Sequence, residues 1–154
     1  MTNIPAFMPL DRCSAQGSGL VKIKSREVVA GPNGTFKIEI NFDFNPAIHE
    51  NPVGSLRIDT KLSDGTNGEF KASTFFSVNV HGRHNPTLFI TANVDENLPN
   101  YKGCRIWLMI ANNKNTEPNG TFDIVSFVVQ DNKGQLINYG TGPLVEGDIK
   151  INAY

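Results

Sequence analysis

Hydrophobic and polar residues alternate with a period of two along most of this chain, most sharply over residues 35–44. Phe36, Ile38, Ile40, Phe42 and Phe44 fall on one face there, and Lys37, Glu39, Asn41 and Asp43 on the other. Such a segment is a strand with one face in a core and one in water. A one-residue slip would expose all five apolar side chains, and burying each contributes about 1.5–3 kcal/mol, so the register is firmly set. The same period recurs over 53–63, with Leu56, Ile58 and Leu62 against Arg57, Asp59 and Lys61. It recurs again over 87–94, with Leu88, Ile90, Ala92 and Val94 against Phe89 and Thr91. Residues 69–81 read as one long strand. Phe70, Phe76, Val78 and Val80 take one face, and Phe75 falls on the other with Lys71, Ser73, Ser77, Asn79 and His81. Residues 20–30 read as a further strand, bulged near Ser25.

Two segments are apolar on both faces. Over 104–111, Ile106, Leu108 and Ile110 oppose Trp107 and Met109; over 124–130, Val125, Phe127 and Val129 oppose Ile124 and Val128. Two-sided apolarity predicts central strands covered on both sides, and these two are expected to be neighbours in the middle of a sheet. Asp131-Asn-Lys-Gly134 forms the tip of the hairpin that follows, and a short final strand begins after Pro143. The segment Pro118-Asn-Gly-Thr-Phe-Asp-Ile124 echoes Pro32-Asn-Gly-Thr-Phe-Lys-Ile38. Asn-Gly favours tight turns because both residues tolerate positive φ, so shared turn chemistry explains the echo better than duplication.

About nine strands with turn signals between them, and no helical period, predict an all-β fold. The long connections at 45–52, 95–103 and 112–119 favour an antiparallel β-sandwich of jelly-roll or immunoglobulin-like type over a meander. Residues 1–18, with Pro5 and Pro9 around Phe7, Met8 and Leu10, are expected to form an extended N-terminal arm. They would pack on their own domain or dock on a neighbouring subunit. Residues 19–154 then form a single β-sandwich domain.

Composition narrows the function more by exclusion than by assignment. The net charge of -1 and the absence of a basic stripe argue against nucleic acid. No apolar run is long enough to span a membrane, and residues 1–12 lack a basic, apolar leader. The expected chain is soluble, and cytoplasmic or else mature or released. Two cysteines, Cys13 and Cys104, do not make a disulfide framework and read as free buried thiols. The Asn33 and Asn119 sequons sit in turns whose chemistry accounts for them without glycosylation.

Candidate chemistry is sparse. His81-Gly-Arg-His84 is the strongest polar cluster. A zinc reading would need a distant third ligand such as His49 or Glu50, and a polar turn explains the cluster more simply. Asp64-Gly-Thr-Asn-Gly-Glu69 departs from a calcium loop at Thr66 and Gly68, leaving Asp64, Asp95 and Glu96 as minor calcium candidates. No G-x-S-x-G is present, and the carboxylates fall on solvent faces, so enzyme activity is not favoured and no cofactor is expected.

Asparagine, roughly one residue in nine, presents both a donor and an acceptor, which suits neutral polar ligands. An aromatic ring among such side chains can cover the apolar face of a sugar. The leading expectation is therefore a non-catalytic, lectin-like carbohydrate-binding module for a glycan. Asn79, His81, Arg83, His84, Tyr101 and Trp107 are its candidate ligand-binding residues, and Phe75 and Tyr139 are further aromatic candidates. The alternative is a structural or assembly subunit of a coat, fibre or filament that uses the arm; either reading expects a homo-oligomer. A third is a β-barrel small-molecule carrier or enzyme, with a cavity lined by Phe42, Phe76 and Trp107.

Overall fold

The computed structural model describes residues 12–24, 34–63, 65, 67–82, 86–95, 101–113 and 122–153. They form nine strands: β1 (Cys13–Lys22), β2 (Gly34–Phe44), β3 (Val53–Leu62), β4 (Asn67–Ala72), β5 (Thr74–His81), β6 (Thr87–Asn93), β7 (Arg105–Ala111), β8 (Ile124–Gln130) and β9 (Leu136–Ala153). All pairings are antiparallel, and the strands make one continuous sheet in the order β4-β3-β2-β1-β9-β8-β7-β6-β5. There is no α-helix among the described residues.

The two ends of this order lie one residue apart in the chain, at Ser73. Its backbone N–H and its hydroxyl both donate to Asp95 Oδ1, at 3.0 and 2.9 Å, and the Asp95 N–H donates to the Lys71 carbonyl at 2.7 Å. The chain beyond β6 thus reaches back to the end of β4, and the sheet is nearly closed into a barrel. The all-β class and the nine antiparallel strands stand as expected, but the sheet is not clearly divided into the two layers of a sandwich. Nor do the long connections cross between layers. The segments 45–52, 95–103 and 112–119 each join strands that are hydrogen-bonded neighbours, so loop length did not report topology.

Four sequence assignments change. Residues 13–18, placed in the arm, lie inside β1 between β2 and β9; residues 1–11 lie outside the described residues, as do Ser25, Asn33 and the Asn119-Gly120 turn. The expected strand 69–81 breaks at Ser73 and carries a register shift between Phe75 and Ser77. The shift turns Phe75 into the core, 3% exposed, and Phe76 outward, 40% exposed. The face of Trp107 and Met109 is not buried, Trp107 being 45% exposed. The expected short last strand is the second half of β9, an 18-residue strand whose first part pairs with β8 and whose second part pairs with β1. Glycine permits this handover: a Cβ on Gly142 would strike the Lys22 carbonyl, where the end of β1 passes close enough for the Lys24 N–H to reach the Thr141 carbonyl at 2.9 Å.

The alternation of β2, β3 and β6 fills the interior as predicted, and β7 and β8 each add one buried face. β7 and β8 pair with each other and lie between β6 and β9, away from any edge. Aromatic rings bridge the barrel. Phe36 meets Phe127 edge-on with centroids 4.7 Å apart, and Phe42 lies 6.2 Å from Phe75. A buried polar bond spans the interior, from Asn138 Nδ2 on β9 to Thr60 Oγ1 on β3 at 3.0 Å.

Candidate functional site

Curling the sheet gives it a single outer surface, and the side chains sort sharply along it. The outward positions of β2, β3 and β4 are rich in charge, and several of the charges are paired. Arg57 binds Asp59 at 2.9 Å and Glu69 at 3.4 Å, Lys71 binds Glu69 at 3.2 Å, and nearby Arg12 binds Asp43 at 3.2 Å. These are exposed pairs, worth little individually. They mark this half as a solvated face.

The outer face of β5 to β9 differs. The strand registers align three cross-strand rows there. One is Ser77, Thr91, Trp107, Val128 and Tyr139; the next is Asn79, Phe89, Met109, Ser126 and Thr141; the third is His81, Thr87, Ala111, Ile124 and Pro143. None of these rows contains Asp, Glu, Lys or Arg. A fourth row brings in Arg105, whose guanidinium lies 4.8 Å from the centre of the Phe76 ring. Exposed rings and aliphatic side chains thus gather on one face without charges between them.

A shallow depression of about 320 Å³ lies on this face between Phe89, Trp107, Met109 and Val128. Phe89 and Trp107 are 43% and 45% exposed. Trp107 is held in orientation by its indole Nε1–H, which donates to Gln130 Oε1 at 3.0 Å. His81 meets Phe89 edge-on at 5.9 Å. Hydroxyl pairs flank the rings, Ser77 Oγ donating to Thr91 Oγ1 at 2.9 Å and Ser126 Oγ lying 2.7 Å from Thr141 Oγ1. Each hydroxyl offers one donor and two acceptor sites, so capacity remains after these bonds.

Among the residues expected at a ligand site, Asn79, His81 and Trp107 come together on this face. Tyr101 does not: it packs against the core, its ring 4.6 Å from that of Phe70. Phe75 is inside, for the reason given above. Arg83, His84, Asp64 and Glu96 lie outside the described residues. Asp95 serves the barrel closure at Ser73 instead of projecting into a loop. His49 Nδ1 accepts the Asn45 N–H of its own loop at 3.0 Å. Among the described residues there is no group of three or more His, Cys, Asp or Glu able to hold a metal, and no helix long and apolar enough to cross a membrane. Phe42 lies inside the barrel while Phe76 and Trp107 lie outside it, so the three do not line one cavity.

Sequence reasoning missed Phe89 and Gln130. Phe89 carried a readable signal, since a large ring on the polar face of a cleanly alternating strand must be exposed. Gln130 carried none, because its role depends on the β7–β8 register. Cys13 and Cys104 are both free and buried. Burial, and then the nearby Asp43 charge, push the Cys13 thiol up to about 11; burial and Asp131 raise Cys104. Burial and the raised pKa both disfavour the thiolate, the form that acts as a nucleophile.

Comparison of the chain with family models, with curated proteins and with solved structures yields no match.

Proposed function

We propose that the protein is a non-catalytic binding module for a neutral glycan, bound on the outer face of β6, β7 and β8. The observation that carries this reading is the pair of exposed rings, Phe89 and Trp107, set beside a shallow groove in three rows free of charge. A ring can cover the apolar face of a sugar, and the flanking hydroxyls and Asn79 can take its hydroxyl groups. The charge-free rows make a neutral ligand the better match, because an ionic one would lose water without gaining a counter-charge. Screening the intact chain on an array of immobilised glycans should give binding to neutral structures that Trp107→Ala weakens. Absence of binding at high protein concentration would overturn the reading.

The assembly-subunit reading draws on the same face, whose aliphatic positions Met109, Ala111, Ile124 and Val128 would suit contact with a second copy. Solution mass by light scattering separates the two. A monomer that binds glycan supports the first; an oligomer that Trp107→Glu dissociates, with no glycan bound, supports the second.

A further inference from the structure

We infer that the ligand is an extended, ribbon-like chain of equatorially linked sugar rings lying across the strands, and not a single terminal sugar; this rests on the glycan reading above. The carrying observation is the order of ring-bearing residues over the face. Tyr139 on β9 and Trp107 on β7 share one cross-strand row, two strands apart. Phe89 on β6 sits one strand and one row further, and His81 on β5 one strand and one row further again, its ring 5.9 Å from that of Phe89. At about 4.8 Å between strands, this track crosses about 19 Å of sheet. A monosaccharide would cover one of these rings and leave the rest bare.

Shape and polarity agree with a flat chain. The depression between Phe89 and Trp107 is a shallow hollow in a sheet surface, with no enclosed end to grip a terminal sugar. Sugars whose linkages and hydroxyls are all equatorial present flat apolar faces to aromatic rings and hydroxyls at their rims. The rim groups are present on both sides of the two central rings, as the Ser77–Thr91 and Ser126–Thr141 pairs. Gln130 acts as a positioning residue, because its bond to the indole nitrogen sets the angle of the Trp107 ring. Acidic chains are disfavoured, since the three rows themselves carry no cation to pair with an acidic group.

The test is calorimetric titration of the intact chain with two β-1,4-linked series, of glucose and of xylose, each from one to six residues. Affinity in at least one series should rise by about tenfold or more from one residue to four, each further ring gaining about three- to tenfold until the track is filled. Phe89→Ala and Trp107→Ala should each remove about three- to tenfold from the hexasaccharide and flatten the length dependence. Gln130→Leu should weaken the hexasaccharide and shift the indole fluorescence that reports ring orientation, while Arg57→Ser on the charged half should change neither. A monosaccharide binding as tightly as the hexasaccharide overturns the extended-chain inference while leaving the glycan reading intact. Failure of both series, with the array showing a branched or terminal sugar bound instead, does the same. Failure of both series and of the array overturns both.

Discussion

Thr60 and Asn138 offer the sharpest test of the interior. Thr60 is 2% exposed and Asn138 4%, and the amide Nδ2 donates across the barrel to the threonine hydroxyl at 3.0 Å. The Asn138 Oδ1 is already committed to the Tyr139 N–H at 2.9 Å, so the amide cannot turn over to find another partner cheaply. Thr60→Val keeps the shape and deletes only the acceptor. The amide N–H is then buried beside a methyl group, which costs about 1–3 kcal/mol. For a chain of this length each kcal/mol moves the melting temperature by about 2–4 °C, so a mid-range cost lowers it by about 4–8 °C. Asn138→Leu costs more, because it also takes the acceptor from Tyr139. The double variant should cost less than the sum of the two by about 1 kcal/mol, the signature of a direct bond. Urea unfolding with an unchanged m-value, beside thermal melts, measures all three. A Thr60→Val protein melting within about 1 °C of the parent, or strict additivity in the double variant, would refute the reasoning.

Three further expectations follow from the fold. Phe75→Ala should cost about 3–5 kcal/mol and Phe76→Ala less than about 1, because the register shift buries the first ring and exposes the second; equal costs would mean the shift is wrongly placed. At pH 8 neither Cys13 nor Cys104 should react with a disulfide reagent in the folded protein, and both should react in urea. The raised Cys13 value also sets a sign. The fold holds this thiol protonated while the unfolded chain ionises near the ordinary 9.0, so its contribution is complete below pH 9 and is lost as pH rises towards about 11. Comparing unfolding free energies of the parent and Cys13→Ala between pH 8 and 10.5 isolates that loss, and an identical pH dependence in the two would contradict it.

The strands with clean alternation were legible because period two depends only on which face meets the core. For β2 and β6 the inward set read from sequence is the buried set, whereas for β7 and β8, read as covered on both faces, only the Ile106 and Val125 faces are buried. The errors cluster where backbone geometry overrides the pattern. Tyr139-Gly-Thr-Gly-Pro143 carries every mark of a turn, yet here the glycines allow two strands to approach closely and β9 runs on through them. Ser73 and the shift beside Phe76 invert the faces of an otherwise regular run. At the candidate site, Trp107 was visible as an aromatic opposite a core face. The charge-free rows were not, because they join residues of five strands through a register that no single segment encodes. The nine strands were countable, but their order was not, since long loops here bridge neighbours as readily as short ones.

That order bears on how the chain finds its fold. From β1 to β9 each strand pairs with the next along the chain, except across Ser73, where β4 hands on to β5. Almost every ladder therefore closes over a short stretch of backbone, at small entropic cost. One ladder does not. β1 and β9 pair from Cys13 opposite Ala153 to Val21 opposite Leu144, across nearly the whole sequence. The cost of closing a loop grows only with the logarithm of its length, but it falls before any of the contacts that repay it. The topology therefore predicts that local hairpins assemble early and that zipping β1 onto β9 comes last and sets the folding rate, turning a curled ribbon into a cooperative unit.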